Sequence, residues 1–313
     1  MTSPGNSAAD GRQRTASSQD GWTAAIALLG FVLVATAQVT NMILARGLHG
    51  EVPPFTLAFF RWTIIAAGLA PFAIADMRRG RLPLRSNALP ILVAGFLGMF
   101  LCGAPVYIAG TTTTAINIAL IMSLSPIVVL LLSRLLGLEK IGVLQVLGMG
   151  LALVGTVLIV SRGDPRALAE LRMAPGDLFM LLPMLGWSGY TLLQSRVASG
   201  ATFLARVSVF AAAGALFTLP VAAWEMWHTP QAAFAPRAFA AYVFAGLVPG
   251  LLAYGGFAYL GGRFGSVRAS ISVYLAPVAS ALLSWIILGE PPTLVHIFGG
   301  TLILGAVWAS LRK

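Results

Sequence analysis

Ten apolar stretches, separated by short connectors, fill this chain from residue 22 to residue 311. A helix crosses the hydrocarbon core of a bilayer in about 20 residues, so each stretch is long enough for one crossing. They run over 22–45, 55–75, 88–110, 115–136, 141–160, 177–196, 203–224, 237–260, 266–288 and 292–311. No stretch alternates with the period of two of a membrane barrel, and a lipid-exposed backbone must satisfy its own hydrogen bonds, so all ten are expected to be helices. Of 313 residues 58% are hydrophobic and 10% are charged, against roughly a quarter charged in an ordinary soluble domain. A soluble chain of this length needs a polar surface, and outside the first 21 residues and a few connectors there is almost none. The expectation is an all-α integral membrane protein.

Residues 1–21 are polar and rich in small side chains, the composition of a disordered tail, and no short apolar core with a cleavage site follows them. The net charge of +10 would suit a nucleic-acid partner, but its distribution argues for a bilayer instead. With the N-terminus in the cytoplasm, 14 of the 20 lysines and arginines fall on inner segments, five on outer ones, and Arg61 inside a span. Positive residues gather on the cytoplasmic side, which places both termini there, in a bacterial-type inner membrane.

Shifting the sequence by 151 positions lays Pro126 on Pro277, Glu139 on Glu290 and Gly148 on Gly299. The surrounding segments share one plan: a small residue and proline, an apolar helix, a glutamate at the turn, then a glycine-bearing helix. The chain reads as a duplication of five spans, with repeats at 22–163 and 174–313. Five is odd, so the second copy enters the membrane from the opposite face and the repeats are inverted. Glu139 and Glu290 begin spans five and ten, where a carboxylate faces the positive end of a helix dipole, an interaction of about 0.3–1 kcal/mol. The alternative role is a gating salt bridge to a loop arginine.

Ten spans in two halves, "FFRW" (Phe59 to Trp62), "TTTTAINIALIMSLSPIVVLLLSRLLGLEK" and its echo "FGSVRASISVYLAPVASALLSWIILGEPP" resemble the drug/metabolite transporter superfamily, in particular its EamA-type members. Span one departs from the pattern: it reads "GFVLVATAQVTN" where many relatives carry a Trp-Gly pair. The resemblance implies a central cavity bounded by spans one to four and six to nine, with five and ten at the periphery supporting dimers or packing. The small faces of Gly148, Ala152 and Gly155 in span five and of Gly299, Gly300 and Gly305 in span ten fit that peripheral role. It further implies secondary transport of a small molecule; amino acids, aromatic cations, nucleosides and sugar derivatives are all carried within the superfamily.

The other eight spans hold few polar groups: Gln38, Asn41, Arg61, Tyr107, Asn117, Ser123, Trp187, Tyr190, Gln194, Tyr254, Ser272 and Tyr274. Such residues either hydrogen-bond between helices or touch a substrate. Arg61 is the sharpest of them. It lies about six residues into its span, roughly 9 Å down, where a lipid-facing charge costs several kcal/mol. Snorkelling to the interface would relieve it; facing the cavity, it would suit a carboxylate. Pro126 and Pro277 interrupt their spans and give the compliance that alternating access needs.

No catalytic cluster, cofactor or metal site is expected. None of the ten carboxylates lies deep within a span, the three histidines are scattered, and Cys102 is a lone thiol. "GWSGY" misses the G-x-S-x-G pattern because Tyr190 holds the last glycine's place, and no nucleotide-binding loop is present. A receptor or scaffold is the remaining rival, and it gains nothing from an inverted duplication. The expected function is export of small metabolites such as amino acids, without tight proton coupling, since no protonatable group sits at membrane depth.

Overall fold

The computed structural model describes residues 27–41, 43, 44, 48, 50–109, 112–170, 172, 174–289 and 291–311, and every regular element among them is a helix. The tail expected over 1–21 and Glu290 lie outside the described residues. The chain opens with α1 (Ala27–Asn41) and α2 (Pro54–Arg78). The third stretch consists of α3 (Leu84–Gly95), a π-helical turn over Phe96–Phe100 and α4 (Ala104–Ala109). Next come α5 (Ala115–Ser123), α6 (Ser125–Leu135) and α7 (Val143–Val160). A short α8 (Pro165–Ala169) leads into α9 (Pro175–Leu193), α10 (Phe203–His228) and a short α11 (Pro230–Ala233). Then α12 (Pro236–Ala245) passes through a π-helical stretch, Gly246–Gly255, into α13 (Gly256–Phe264). After it, α14 (Ser266–Ser270), a 3-10 turn at Ile271–Leu275 and α15 (Ala276–Leu288) precede the last helix, α16 (Leu294–Leu311).

Seven helical runs have the length and hydropathy to cross a bilayer: Pro54–Arg78, Leu84–Val106, Asn117–Leu135, Val143–Val160, Phe203–His228, Pro236–Phe264 and Ser266–Ile286. α1 and Leu294–Ser310 are apolar but shorter. α9 is less apolar because one face turns polar and aromatic residues inward: Trp187, Ser188, Tyr190 and Thr191 are all buried. Its other face leaves Leu178, Leu182 and Leu185 exposed, and Leu144, Leu147, Leu151 and Val154 likewise stand exposed along one side of α7, as a lipid-facing stripe requires.

Local chemistry sets the helix ends. Pro54 opens α2, where a missing N–H leaves no bond unmade, and the Thr202 hydroxyl accepts from Ala205 N at 3.3 Å to start α10. α15 stops at Gly289, whose φ of 69° lies in the left-handed region that glycine enters without strain. The glutamate that follows in sequence thus comes after a helix stop.

α2 and α10 form the centre of the bundle. The last turn of α2 reaches the N-cap of α10, where Asp76 accepts from Thr202 N, and the last turn of α10 reaches the start of α2, where Glu225 accepts from Phe55 N and Thr56 N. The two helices are therefore antiparallel over their full length. α7 and α16 make a second close pair: a Cβ on Gly155 would lie 2.8 Å from Gly299 O, and one on Gly148 would lie 2.6 Å from Ser310 Oγ. Of the glycines expected to serve dimers or packing, Gly148, Gly155 and Gly299 are engaged between these two helices within one chain, whereas Gly300 lies against Val278 and Gly305 has nothing within 4 Å.

Glu139 requires a correction. It caps a helix, but not α7, which it precedes in sequence; there Gln145 Oε1 accepts from Gly142 N at 2.9 Å. The Glu139 carboxylate instead accepts from Ser266 N at 2.8 Å and Val267 N at 3.4 Å, at the start of α14. Gly265, with φ 89°, breaks α13 from α14 and frees those N–H groups, and the connector after Leu138 lays Glu139 against them. Arg196 Nη2 lies 3.9 Å from Glu139 Oε1 and donates to Leu138 O at 3.0 Å, so the arginine contact weighed as an alternative accompanies the cap.

Candidate functional site

Arg61 lies seven residues beyond Pro54 on α2, about 10 Å along the helix. It does not snorkel: the residue is 2% exposed. Its Nη1 donates to Asn41 Oδ1 at 3.0 Å and its Nη2 to Pro249 O at 2.7 Å, which joins α1, α2 and the second π-helical stretch. The guanidinium carbon stands 4.4 Å from the Trp62 ring centroid and 5.5 Å from that of Tyr254, cation–π contacts that replace part of the lost hydration. Its Nε has no hydrogen-bond partner, and no carboxylate pairs with it among the described residues. A buried charge so placed keeps part of its demand for an anion.

The carbonyl that receives Arg61 belongs to Pro249, within the π-helical stretch Gly246–Gly255, where the turns are wider than in an α-helix. The first half contains the same device. Gly98, which the 151-residue shift lays on Pro249, sits in the Phe96–Phe100 π-helical turn, and its carbonyl accepts from Tyr254 Oη at 2.8 Å. Glycine is required at 98, since a Cβ would fall 2.4 Å from the Tyr190 ring.

Trp62, Trp187, Tyr190, Tyr254 and Phe257 close into one aromatic cluster below Arg61. Tyr254 meets Trp62 edge-on at 5.0 Å and Trp187 edge-on at 5.4 Å, while Trp187 lies 4.7 Å from Phe257 and 5.7 Å from Tyr190. All five are buried. Several polar atoms in this interior have no protein partner: Trp62 Nε1, Trp187 Nε1, Tyr190 Oη, Tyr274 Oη, Gln38 Nε2 and both amide atoms of Gln194. Buried polar groups are normally satisfied, so these are the atoms that water or a ligand would meet. The two indole N–H groups, Gln38 Nε2 and Arg61 Nε can only donate, and the complementary ligand group is an acceptor such as a carboxylate.

The other sequence candidates divide. Asn41 reaches this centre from α1, Gln38 lies three residues earlier on the same helix, and Tyr274 is fully buried in the same core. Ser123 donates to Leu120 O at 2.6 Å, within its own helix, at the break between α5 and α6. Pro126 and Pro277 occupy equivalent places just inside α6 and α15, each following an interruption of its span, so their expected kinks exist as helix breaks. Asn117 is not brought to the centre. It lies at the start of α5, where its Nδ2 donates to Asp177 Oδ2 at 2.8 Å and Thr113 Oγ1 bonds the other carboxylate oxygen; Ala174 N completes this cap. The Tyr107 side chain lies outside the described residues.

Two residues of the site were missed. Trp62 stood in "FFRW" as a motif letter, yet it covers Arg61. Arg206 was counted with the cytoplasmic charges, but it is 7% exposed, donates through Nη1 to Ser195 O at 2.9 Å and leaves Nε without a partner. Its place four residues into α10 was the available signal.

Comparison with known proteins gives a coherent picture. The EamA-like transporter family matches residues 25–161 and 174–312. Among curated proteins, the uncharacterized transporter YdfC of Bacillus subtilis is 30% identical over 271 residues, covering 85% of this chain and 84% of that protein. The uncharacterized transporter YyaM of the same organism is 26% identical over 286 residues, covering 91% and 92%. A solved crystal structure is similar with a TM-score of 0.66 at 24% identity, over 92% of this chain and 97% of the other, a likeness of fold.

Proposed function

We propose, from the premise that this chain belongs to the EamA-like transporter family, that it is a secondary transporter exporting small carboxylate-bearing metabolites of the amino-acid class. The observation that carries this reading is Arg61, a buried cation over two aromatic rings with an unsatisfied Nε and no carboxylate partner among the described residues. A carboxylate would take the free N–H, and an apolar or aromatic side chain would lie against Trp187 and Tyr190. Arg206 offers a second buried cation toward the other end of the bundle.

Movement is by alternating access between two inverted five-span repeats, 22–163 and 174–313, around the aromatic centre. The two family matches, the 151-residue correspondence, the paired π-helical positions and the antiparallel α2 and α10 support this division. Counting α1, α9 and α16 with the seven longer runs gives ten spans. The bias of 14 positive residues against five supports cytoplasmic termini in an inner membrane. Gly148, Gly155 and Gly299 are engaged between α7 and α16, which leaves those three unavailable to a dimer contact.

Counterflow in proteoliposomes loaded with aromatic or aliphatic amino acids tests the proposal, with Tyr190→Phe and Arg61→Lys as variants. Tyr190→Phe removes only a hydroxyl that has no partner, so stability should hold while transport falls about tenfold, the size of one hydrogen bond. Arg61→Lys keeps the charge and loses the fork, and should fall further. Counterflow of aromatic cations but not of amino acids would overturn the substrate class, and no counterflow of any solute would overturn transport.

A further inference from the structure

We propose that a recess at the basic end of the bundle, where α7, α14 and α16 meet, binds the phosphate headgroup of an anionic membrane lipid. The recess encloses 330 Å³ and is lined by Lys140, Gln145, Arg268 and Ser310, with Ile141 and Leu144 as its apolar wall. Among the described residues two cations and no carboxylate line it. The nearest acid in sequence, Glu139, is engaged with Ser266 N and Val267 N and does not line it. Arg268 Nε is buried without a hydrogen-bond partner, although the guanidinium stands beside this opening. Gln145 spends its carbonyl oxygen on Gly142 N, which leaves its amide NH2 as the donor it can present. Ser310 donates to Ala306 O at 2.8 Å, so its hydrogen is spent within the helix and the donors left to the recess are those of Lys140, Gln145 and Arg268.

A phosphate matches that donor set, and a guanidinium grips it with two parallel bonds. The apolar surroundings decide which phosphate. Leu144 borders the recess, and Leu147, Leu151 and Val154 continue from it along the exposed side of α7 as a track for acyl chains. A free phosphate ion would leave that track unused. Basic pockets between membrane helices at such an interface suit anionic headgroups, at about 1 kcal/mol per Lys or Arg. Occupancy would brace the close pair α7 and α16 against the start of α14, which Glu139 caps.

The full chain in nanodiscs of equal phosphatidylglycerol and phosphatidylcholine, released into native mass spectrometry, should keep phosphatidylglycerol in preference. Lys140→Ala, a change at an exposed side chain, should weaken that preference about fivefold with melting unchanged, and adding Arg268→Gln should bring the loss to about 30-fold. Arg134→Ala, also exposed and at the same end, should leave it intact. The proposal is overturned if phosphatidylcholine is kept equally, or if Arg134→Ala weakens retention as much as Lys140→Ala, since diffuse charge would then be responsible. Thermal stabilisation of the delipidated chain by inorganic phosphate alone, equal to that by phosphatidylglycerol, would also overturn it in favour of a free-anion site.

Discussion

Asp76 and Glu225 cap each other's helices. Asp76, in the last turn of α2, accepts from Thr202 N at 2.6 Å at the start of α10, and Glu225, near the end of α10, accepts from Thr56 N at 2.7 Å and Thr56 Oγ1 at 2.9 Å at the start of α2. A helix N-terminus carries free N–H groups and partial positive charge, so each acid satisfies donors that the other helix cannot satisfy alone. The arrangement fixes the pair in register from both ends of the bundle.

The caps are unequal. Both are buried, but Glu225 takes three donors, with Phe55 N at 3.2 Å as the third, whereas Asp76 shares the start of α10 with the Thr202 hydroxyl. Glu225→Ala should therefore destabilise the chain by about 2–3 kcal/mol, the range for stranding buried donors, and Asp76→Ala by about 1 kcal/mol. Thermal unfolding in detergent compares them. Equal losses would mean that the extra bonds of Glu225 contribute nothing.

Two glycines of α7 offer a paired test of the close contact with α16. A Cβ on Gly155 would meet Gly299 O at 2.8 Å and Ile303 Cγ1 at 2.8 Å, while one on Gly150 meets nothing within 4 Å. Gly155→Ala should cost about 1–3 kcal/mol through overpacking, and Gly150→Ala should be neutral or stabilising. If both behave alike in thermal unfolding, the close pairing of these helices is wrong.

What the sequence disclosed follows the range of each interaction. Spans were legible because burial in lipid is written in every residue, and α9 was found by its length although Trp187, Ser188 and Tyr190 dilute its apolar character. The repeat was legible through Pro126 and Pro277, whose backbone effect is local. The target of Glu139 was not, because Ser266 is 127 positions away and only the folded connector brings them together. Asn117 misled for the converse reason: a polar residue in an apolar run looks central, and nothing local reveals that it meets Asp177 at a helix start. The π-helical turn at Gly98 had no local signature, and the side chains that meet it, Tyr190 and Tyr254, are distant in sequence.

Glu139 and Gly265 should behave as one unit. Gly265 has φ 89°, and a Cβ there would stand 2.9 Å from Glu139 Oε2. Gly265→Ala should destabilise by about 1–2 kcal/mol, because the conformation is strained for any side chain and the cap is pushed away. Glu139→Ala alone should cost about 1 kcal/mol, and the double variant should lose less than the sum. Strict additivity in thermal unfolding would mean that the carboxylate and the glycine are independent.

Proton coupling gives the last prediction. A proton-driven carrier needs a group whose charge changes as the two access states exchange, placed where burial can bias them. The two acids on the central helix pair are already committed: losing the charge on Glu225 would release the start of α2, and losing that on Asp76 would release the start of α10. The buried centre itself holds Arg61, with Arg206 toward the other end of the bundle, and no carboxylate among its described residues. Transport should therefore run as exchange or as flow down the substrate gradient. In proteoliposomes, an imposed gradient of about two pH units, roughly 2.7 kcal/mol per proton, should drive no net accumulation when substrate is equal on both sides. Glu225→Gln should lower the yield of folded protein while the molecules that fold keep counterflow. Uphill accumulation abolished by a proton carrier, together with loss of that accumulation in Glu225→Gln, would make Glu225 a coupling group and its cap one half of a switch.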